Sequence, residues 1–99
     1  MRFEFEDDDL RRLYTDPGFH LPKFGTDLTK QYRKKMQVLA AAKDERDLYA
    51  LRGLRLEKLV GAGAGQHSIR LNDQFRLILR FKTDHEDRLV IVVKITDYH

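Results

Sequence analysis

The chain has 99 residues, 41% hydrophobic and 35% charged, with no cysteine and a formal net charge of +3. That length sustains one domain with a modest core, and the composition excludes a disordered polyelectrolyte, a disulfide framework and a thiolate metal site. The acidic start, Met1-Arg-Phe-Glu-Phe-Glu-Asp-Asp-Asp9, lacks the apolar core of a signal peptide, and no run reaches membrane-spanning length; a cytoplasmic protein without membrane contact is expected.

In chain order, residues 2–5 alternate polar and aromatic side chains, which predicts a first strand. Residues 7–14 predict a short helix, with Asp7, Asp8 and Asp9 favourable at its N-terminal dipole and Asp16-Pro17-Gly18 breaking it. A second helix is predicted from Thr26 or Asp27 to about Lys43. Leu28, Tyr32, Met36 and Leu39 make its one apolar stripe, and Lys30, Arg33, Lys34 and Gln37 fall on its outer face. Ala40 to Ala42 with residues 45–51 suggest a further short helical turn before Gly53.

Beyond Gly53 the period changes to two. Gly61-Ala-Gly-Ala-Gly65 predicts a loop, and no Lys-Ser/Thr pair or helix pattern follows to make it a nucleotide-phosphate loop. Strands are predicted at 67–71, 75–82 and 88–98, joined by turns at Asn72-Asp73 and at residues 83–87. Neither an internal repeat nor a linker interrupts this single domain, residues 1–99.

Side chains alternate faces along a strand. Phe75, Leu77, Leu79 and Phe81 therefore share one side, as do Leu89, Ile91, Val93 and Ile95; Val90 and Val92 fall with Lys94, Thr96 and Tyr98 on the other. If the apolar rows pack on the helices, the opposite face presents Ser68, Arg70, Arg76, Arg80, Lys94 and Tyr98 together. Charge is segregated to match: residues 1–16 carry six acids against Arg2, Arg11 and Arg12, a balance of −3. Residues 50–82 carry seven bases against Glu57 and Asp73, a balance of +5. The basic block is either a solvated face or a surface for a polyanion. A helix-backed sheet with a cationic face and one aromatic suits a phosphate backbone and an unstacked base. The predicted class is α+β, with an N-terminal strand and two to three helices packed on one face of a mainly antiparallel sheet of four to five strands.

The second half carries a more specific pattern: Leu59, Gly61, Gly65, His67, Ser68-Ile-Arg70, Asn72, Gln74-Phe-Arg76 and the ending Asp97-Tyr-His99. Over roughly residues 54–99 this resembles the HigB branch of the RelE/ParE toxin superfamily, whose fold is RelE-like. The resemblance implies the toxin of a bacterial type II toxin–antitoxin pair, an endoribonuclease (mRNA interferase) that cleaves messenger RNA in the ribosomal A site and so inhibits translation. The implied partners are the ribosome, its messenger RNA and a HigA-like helix-turn-helix antitoxin.

Without a metal-ligand constellation or any cofactor motif in the sequence, such cleavage would use the substrate's own 2′-OH. That requires a base for the hydroxyl proton, a cation for the pentavalent phosphate and an acid for the 5′-oxygen. Arg76 matches the family arginine and would stabilise the phosphate. His99 would be the general acid or base. Tyr98 would stack on a base or donate a hydrogen bond, and Asp97, with core-side parity, would orient a neighbour. Arg70, Arg80 and Lys94 would hold the RNA backbone.

Some members place a histidine and a lysine just before the glycine loop, where this chain has Glu57 and Val60, with Lys58 nearby. Glu57 is either the substitute base or a plain surface acid, and Lys58 could supply the missing cation. His67 shares parity with Ile69 and Leu71 and is expected to pack half-buried. His20 and His85 lack partners that suggest chemistry. The competing class is a non-enzymatic ParE-like growth inhibitor that binds a protein target such as DNA gyrase, although the Asp-Tyr-His ending favours the nuclease.

Overall fold

The structure, a computed structural model, describes residues 1–61 and 65–97. It places strand β1 at Arg2–Phe5, helices α1 at Asp8–Thr15, α2 at Gly25–Ala41 and α3 at Glu45–Tyr49, then strands β2 at Glu57–Lys58, β3 at Gln66–Arg70, β4 at Phe75–Asp84 and β5 at Asp87–Asp97. The sheet order is β1-β5-β4-β3-β2, with β1 parallel to β5 and every other pair antiparallel. This is the α+β class, with a mainly antiparallel five-stranded sheet.

Each helix is bounded by local chemistry. The Asp7 carboxylate accepts from the Leu10 amide at 3.0 Å and caps α1, and Asp8 and Asp9 occupy its first turn. At the other end the Asp16 side chain accepts from the Gly18 amide at 2.9 Å, a local turn that competes with the helix. The predicted stripe of α2 is the core: Leu28, Tyr32, Met36 and Leu39 are buried, and Tyr32 donates to the Leu10 carbonyl at 2.8 Å. Arg33, assigned to the outer face, instead turns back. Its guanidinium donates to the carbonyls of Leu13 and Phe19 at 3.0 and 2.9 Å and ties α2 to the end of α1.

α2 ends at Ala41 rather than near Lys43. The carbonyls of Ala40 and Ala42 accept from the Met1 amino nitrogen at 3.0 and 2.6 Å, and the Lys43 amide donates to Asp47 at 2.8 Å, so the chain bonds away from the helix axis. α3 follows, capped by Asp44 and tied to the sheet by a two-pronged ion pair from Glu45 to Arg88, at 2.8 and 2.7 Å.

Two features of the sheet depart from the sequence reading. The first is β2, two residues long, in which Glu57 pairs with Ser68 and Lys58 with His67. The glycine loop that follows it has Gly61 at φ 90° and Gly65 at φ 77°, a region glycine enters without steric cost. Residues 62–64 of that loop lie outside the described residues. The second is a bulge. Ile78 pairs with Lys94, but Leu79 pairs with Val92, so Val93 has no opposite number.

One extra residue reverses the alternation on its N-terminal side. Val90 and Val92 therefore lie in the core with Leu79 and Phe81, not on the reverse face, while Ile95 still faces the helices beside Leu77.

Candidate functional site

The reverse face of the sheet is built from three cross-strand rows. Glu57, Ser68, Ile78 and Lys94 are aligned across β2, β3, β4 and β5; Arg70, Arg76 and Thr96 form the next row, and Gln66, Arg80 and Ile91 the row on the other side. Register thus brings Ser68, Arg70, Arg76, Arg80 and Lys94 to one face, as alternation predicts.

The face is not uniformly open, and this corrects the picture of an exposed cationic sheet. Ser68 is 1% exposed and Arg76 5%. Arg76 Nε donates to Ser68 Oγ at 2.8 Å, and its Nη2 donates to the carbonyls of Ser68, at 3.3 Å, and of Arg55. The Glu57 carboxylate stands 3.8 Å from the same nitrogen and is half exposed. The long arginine is therefore tucked under residues 52–58, held by acceptors that offset the cost of burying its charge. Glu57 and Arg76, both singled out from the sequence, are neighbours.

Arg55 makes this possible. It follows the 3-10 turn Arg52–Leu54 and sits at φ 50°, ψ 53°, the left-handed region, which turns its carbonyl onto Arg76. A non-glycine residue there costs on the order of 1 kcal/mol. Arg55, Arg70, Asn72, Asp73 and Arg76 line a cavity of about 260 Å³ beside the β3–β4 turn.

The other candidates divide. Arg70 is bound to Asp73 through its Nη2 and to the Asn72 carbonyl at 3.3 Å. Arg80, at the far row, pairs with Glu6 at 2.8 Å, a partner the sequence did not reveal. Lys94 is exposed opposite Ile78. Lys58 pairs with His67, on the helix side of the sheet, so alternation directs it away from Glu57 and Arg76; the cation beside Glu57 is Arg76. Asp97 stands opposite Phe75, on the helix side as parity predicts, and accepts from Gln74 Nε2 at 2.9 Å. Tyr98 and His99 lie outside the described residues.

Asn72 and Gln74 belong to the sequence motif but had no assigned role. The Asn72 side chain accepts from the amides of Gln74 and Phe75, at 2.9 and 2.7 Å, and fixes the turn that aims Gln74 at Asp97. Arg55 left no comparable signal, because a left-handed arginine has no marker in sequence.

His67 is half-buried, as its parity predicts. Its ring meets Phe81 edge-on at 5.1 Å, and its Nδ1 is buried without a hydrogen-bond partner. Burial pushes its pKa below the ordinary imidazole value, with Lys58 and Arg88 adding to that and Glu45 opposing it. His20 and His85 are exposed. Among the described residues, no group of three or more histidines and carboxylates could hold a metal ion, and no helix is long and apolar enough to cross a membrane.

The arrangement can therefore grip an anion at the arginine-lined cavity and hold a carboxylate against a buried guanidinium. Comparison with known proteins agrees with the motif. The model of the HigB-like toxin family, described as a RelE-like toxin of the type II toxin–antitoxin system HigB, matches residues 3–99. Toxin HigB-1 of Vibrio cholerae serotype O1 is 36% identical over 83 residues, covering 82% of this chain and 84% of that protein. In fold, the chain is similar to a YoeB/ParE toxin from Agrobacterium tumefaciens over the full length of both chains, with a TM-score of 0.56 at 15% identity. With a family match across almost its whole length and a relative at this identity, the chain belongs to the HigB toxins, the RelE-like toxins of type II toxin–antitoxin systems.

Proposed function

We propose that this toxin is an endoribonuclease that cuts messenger RNA in the ribosomal A site, by attack of the substrate's 2′-OH on the adjacent phosphate. Membership of a type II system gives it an antitoxin partner; the finer reading is a HigA-like helix-turn-helix antitoxin and a site of action in the cytoplasm. The observation that carries the nuclease reading is the Glu57 carboxylate 3.8 Å from a buried Arg76, at the edge of an arginine-lined cavity. Glu57 would take the 2′-OH proton, and its half-exposed position, which leaves it open to substrate, supports that role. Arg76, with its geometry fixed by Ser68 and Arg55, offers a preorganised charge for the pentavalent phosphate. In this reading His99 would be the general acid or base, supplying the proton for the 5′-oxygen where Glu57 takes that of the 2′-OH. Tyr98 would stack on a base or donate a hydrogen bond, and Asp97 would orient a neighbour. Arg70, Arg80 and Lys94 would contact the backbone, although Arg80 must first yield Glu6.

The test is cleavage of A-site messenger on purified ribosomes, read as truncated products, with circular dichroism to confirm folding. Deleting His99, or changing Glu57 to Gln, should lower the rate roughly a hundredfold or more, the usual size for an acid–base group. Arg76→Ala should cost a comparable factor. A folded protein without His99 that cuts at the wild-type rate overturns the assignment. Growth arrest without messenger cleavage would move the reading to a non-enzymatic inhibitor of a protein target such as DNA gyrase.

A further inference from the structure

We infer that the cavity beside the β3–β4 turn is a phosphate subsite, and that Arg55 is the side chain that grips the RNA backbone there. The inference rests on the RNA-cleaving reading and goes beyond it in naming a residue that lies outside the motif from Leu59 to Arg76. Three arginines, Arg55, Arg70 and Arg76, line this cavity with a single acidic residue, Asp73, which already pairs with Arg70. Arg76 is buried and committed to Ser68 and the Arg55 carbonyl, so it fixes the floor but has little freedom to follow a ligand.

Arg55 differs. It is exposed and makes no ion pair among the described residues, whereas the other two arginines of the cavity each have a carboxylate within 4 Å, Asp73 for Arg70 and Glu57 for Arg76. An unpaired guanidinium presents a planar fork that matches two phosphate oxygens. Its backbone conformation is one that glycine would adopt freely, and Gly53 stands only two residues away; the chain keeps a long cation where the backbone favours no side chain. That same left-handed turn places the Arg55 carbonyl on Arg76, so the exposed grip and the buried charge are held in fixed relation.

The variant Arg55→Gly isolates the side chain, because glycine keeps the backbone turn. The probe is a fluorescently labelled RNA oligonucleotide with 2′-O-methyl sugars, which cannot be cut, titrated with the toxin at several salt concentrations. R55G should weaken binding about tenfold and reduce the salt slope by about 0.7, the value for one phosphate contact on a single strand. R55K, which keeps charge but loses the fork, should bind with intermediate affinity and an unchanged slope. In the ribosome assay the loss in R55G should fall on KM rather than kcat. Folded R55G with wild-type affinity and slope overturns the inference, as does a wild-type protein without measurable affinity for the oligonucleotide. If R55G does not fold, R55K with wild-type affinity overturns it in the same way. A wild-type protein that binds with this Arg55 dependence yet never cuts messenger supports the subsite and overturns the nuclease reading alone.

Discussion

Arg76 Nε donates to Ser68 Oγ at 2.8 Å, linking β4 to β3 diagonally, and both side chains are shut off from water. The serine hydroxyl is thus one of the acceptors, with the carbonyls of Ser68 and Arg55, that make a buried guanidinium tolerable. Ser68→Ala should lower stability by about 1–3 kcal/mol, because it leaves a buried donor unmatched. In urea unfolding the midpoint should fall with the slope unchanged. A midpoint equal to wild type would show that another acceptor takes over the Nε proton.

Tyr32 crosses from α2 to the Leu10 carbonyl in a fully buried contact. Tyr32→Phe keeps the ring and loses the bond, for an expected cost of about 1 kcal/mol. Burial, with the charge of Asp7 and then Tyr14 beside it, also raises the phenol far above its ordinary value. In ultraviolet titration of the native protein, the Tyr32 phenolate should therefore be absent where exposed tyrosines have ionised, and appear only on unfolding.

Acid should destabilise the fold in two steps. His67 has its folded pKa below the ordinary 6.5, mainly by burial, so folding favours the neutral ring; that stability is complete above 6.5 and is lost as pH falls through the lower folded value. Glu45 has its pKa held below the ordinary 4.5, mainly by its hydrogen bond from Arg88. Its contribution is complete above 4.5 and is lost at still lower pH. His67→Phe should abolish the upper step in a series of thermal melts, and Glu45→Gln the lower one.

Gln74 and Asp97 test whether the turn positions the chain end. Gln74→Glu sets two carboxylates face to face where a 2.9 Å bond now stands, whereas Gln74→Lys keeps a donor. The glutamate variant should lose toxicity in a growth assay with little change in melting temperature, and the lysine variant should retain most of it. Equal toxicity of the two would remove the amide donor from the mechanism.

The sequence by itself determined the elements whose causes are local. The Leu28, Tyr32, Met36 and Leu39 stripe could only be buried as one helix face, the Asp7 cap and the Asn72 turn act within a few residues, and the alternation in 75–81 names its own core side. The motif from Leu59 to Arg76, with Asp97-Tyr-His99, was enough to reach the toxin family.

Tertiary structure decided whatever depends on a partner strand. The bulge at Val93 exists only in the pairing of β4 with β5, and it moved Val90 and Val92 into the core against the simple parity. β2 is too short to have a period of its own and forms because β3 offers it hydrogen bonds. The surroundings of the charges are decided in the same way. Glu6 neutralises Arg80 from the other end of the sequence, and Arg76 is buried because residues 52–58 fold over it. Alternation tells which face a side chain leaves from; what covers that face is set by chain segments whose distance in sequence carries no signal.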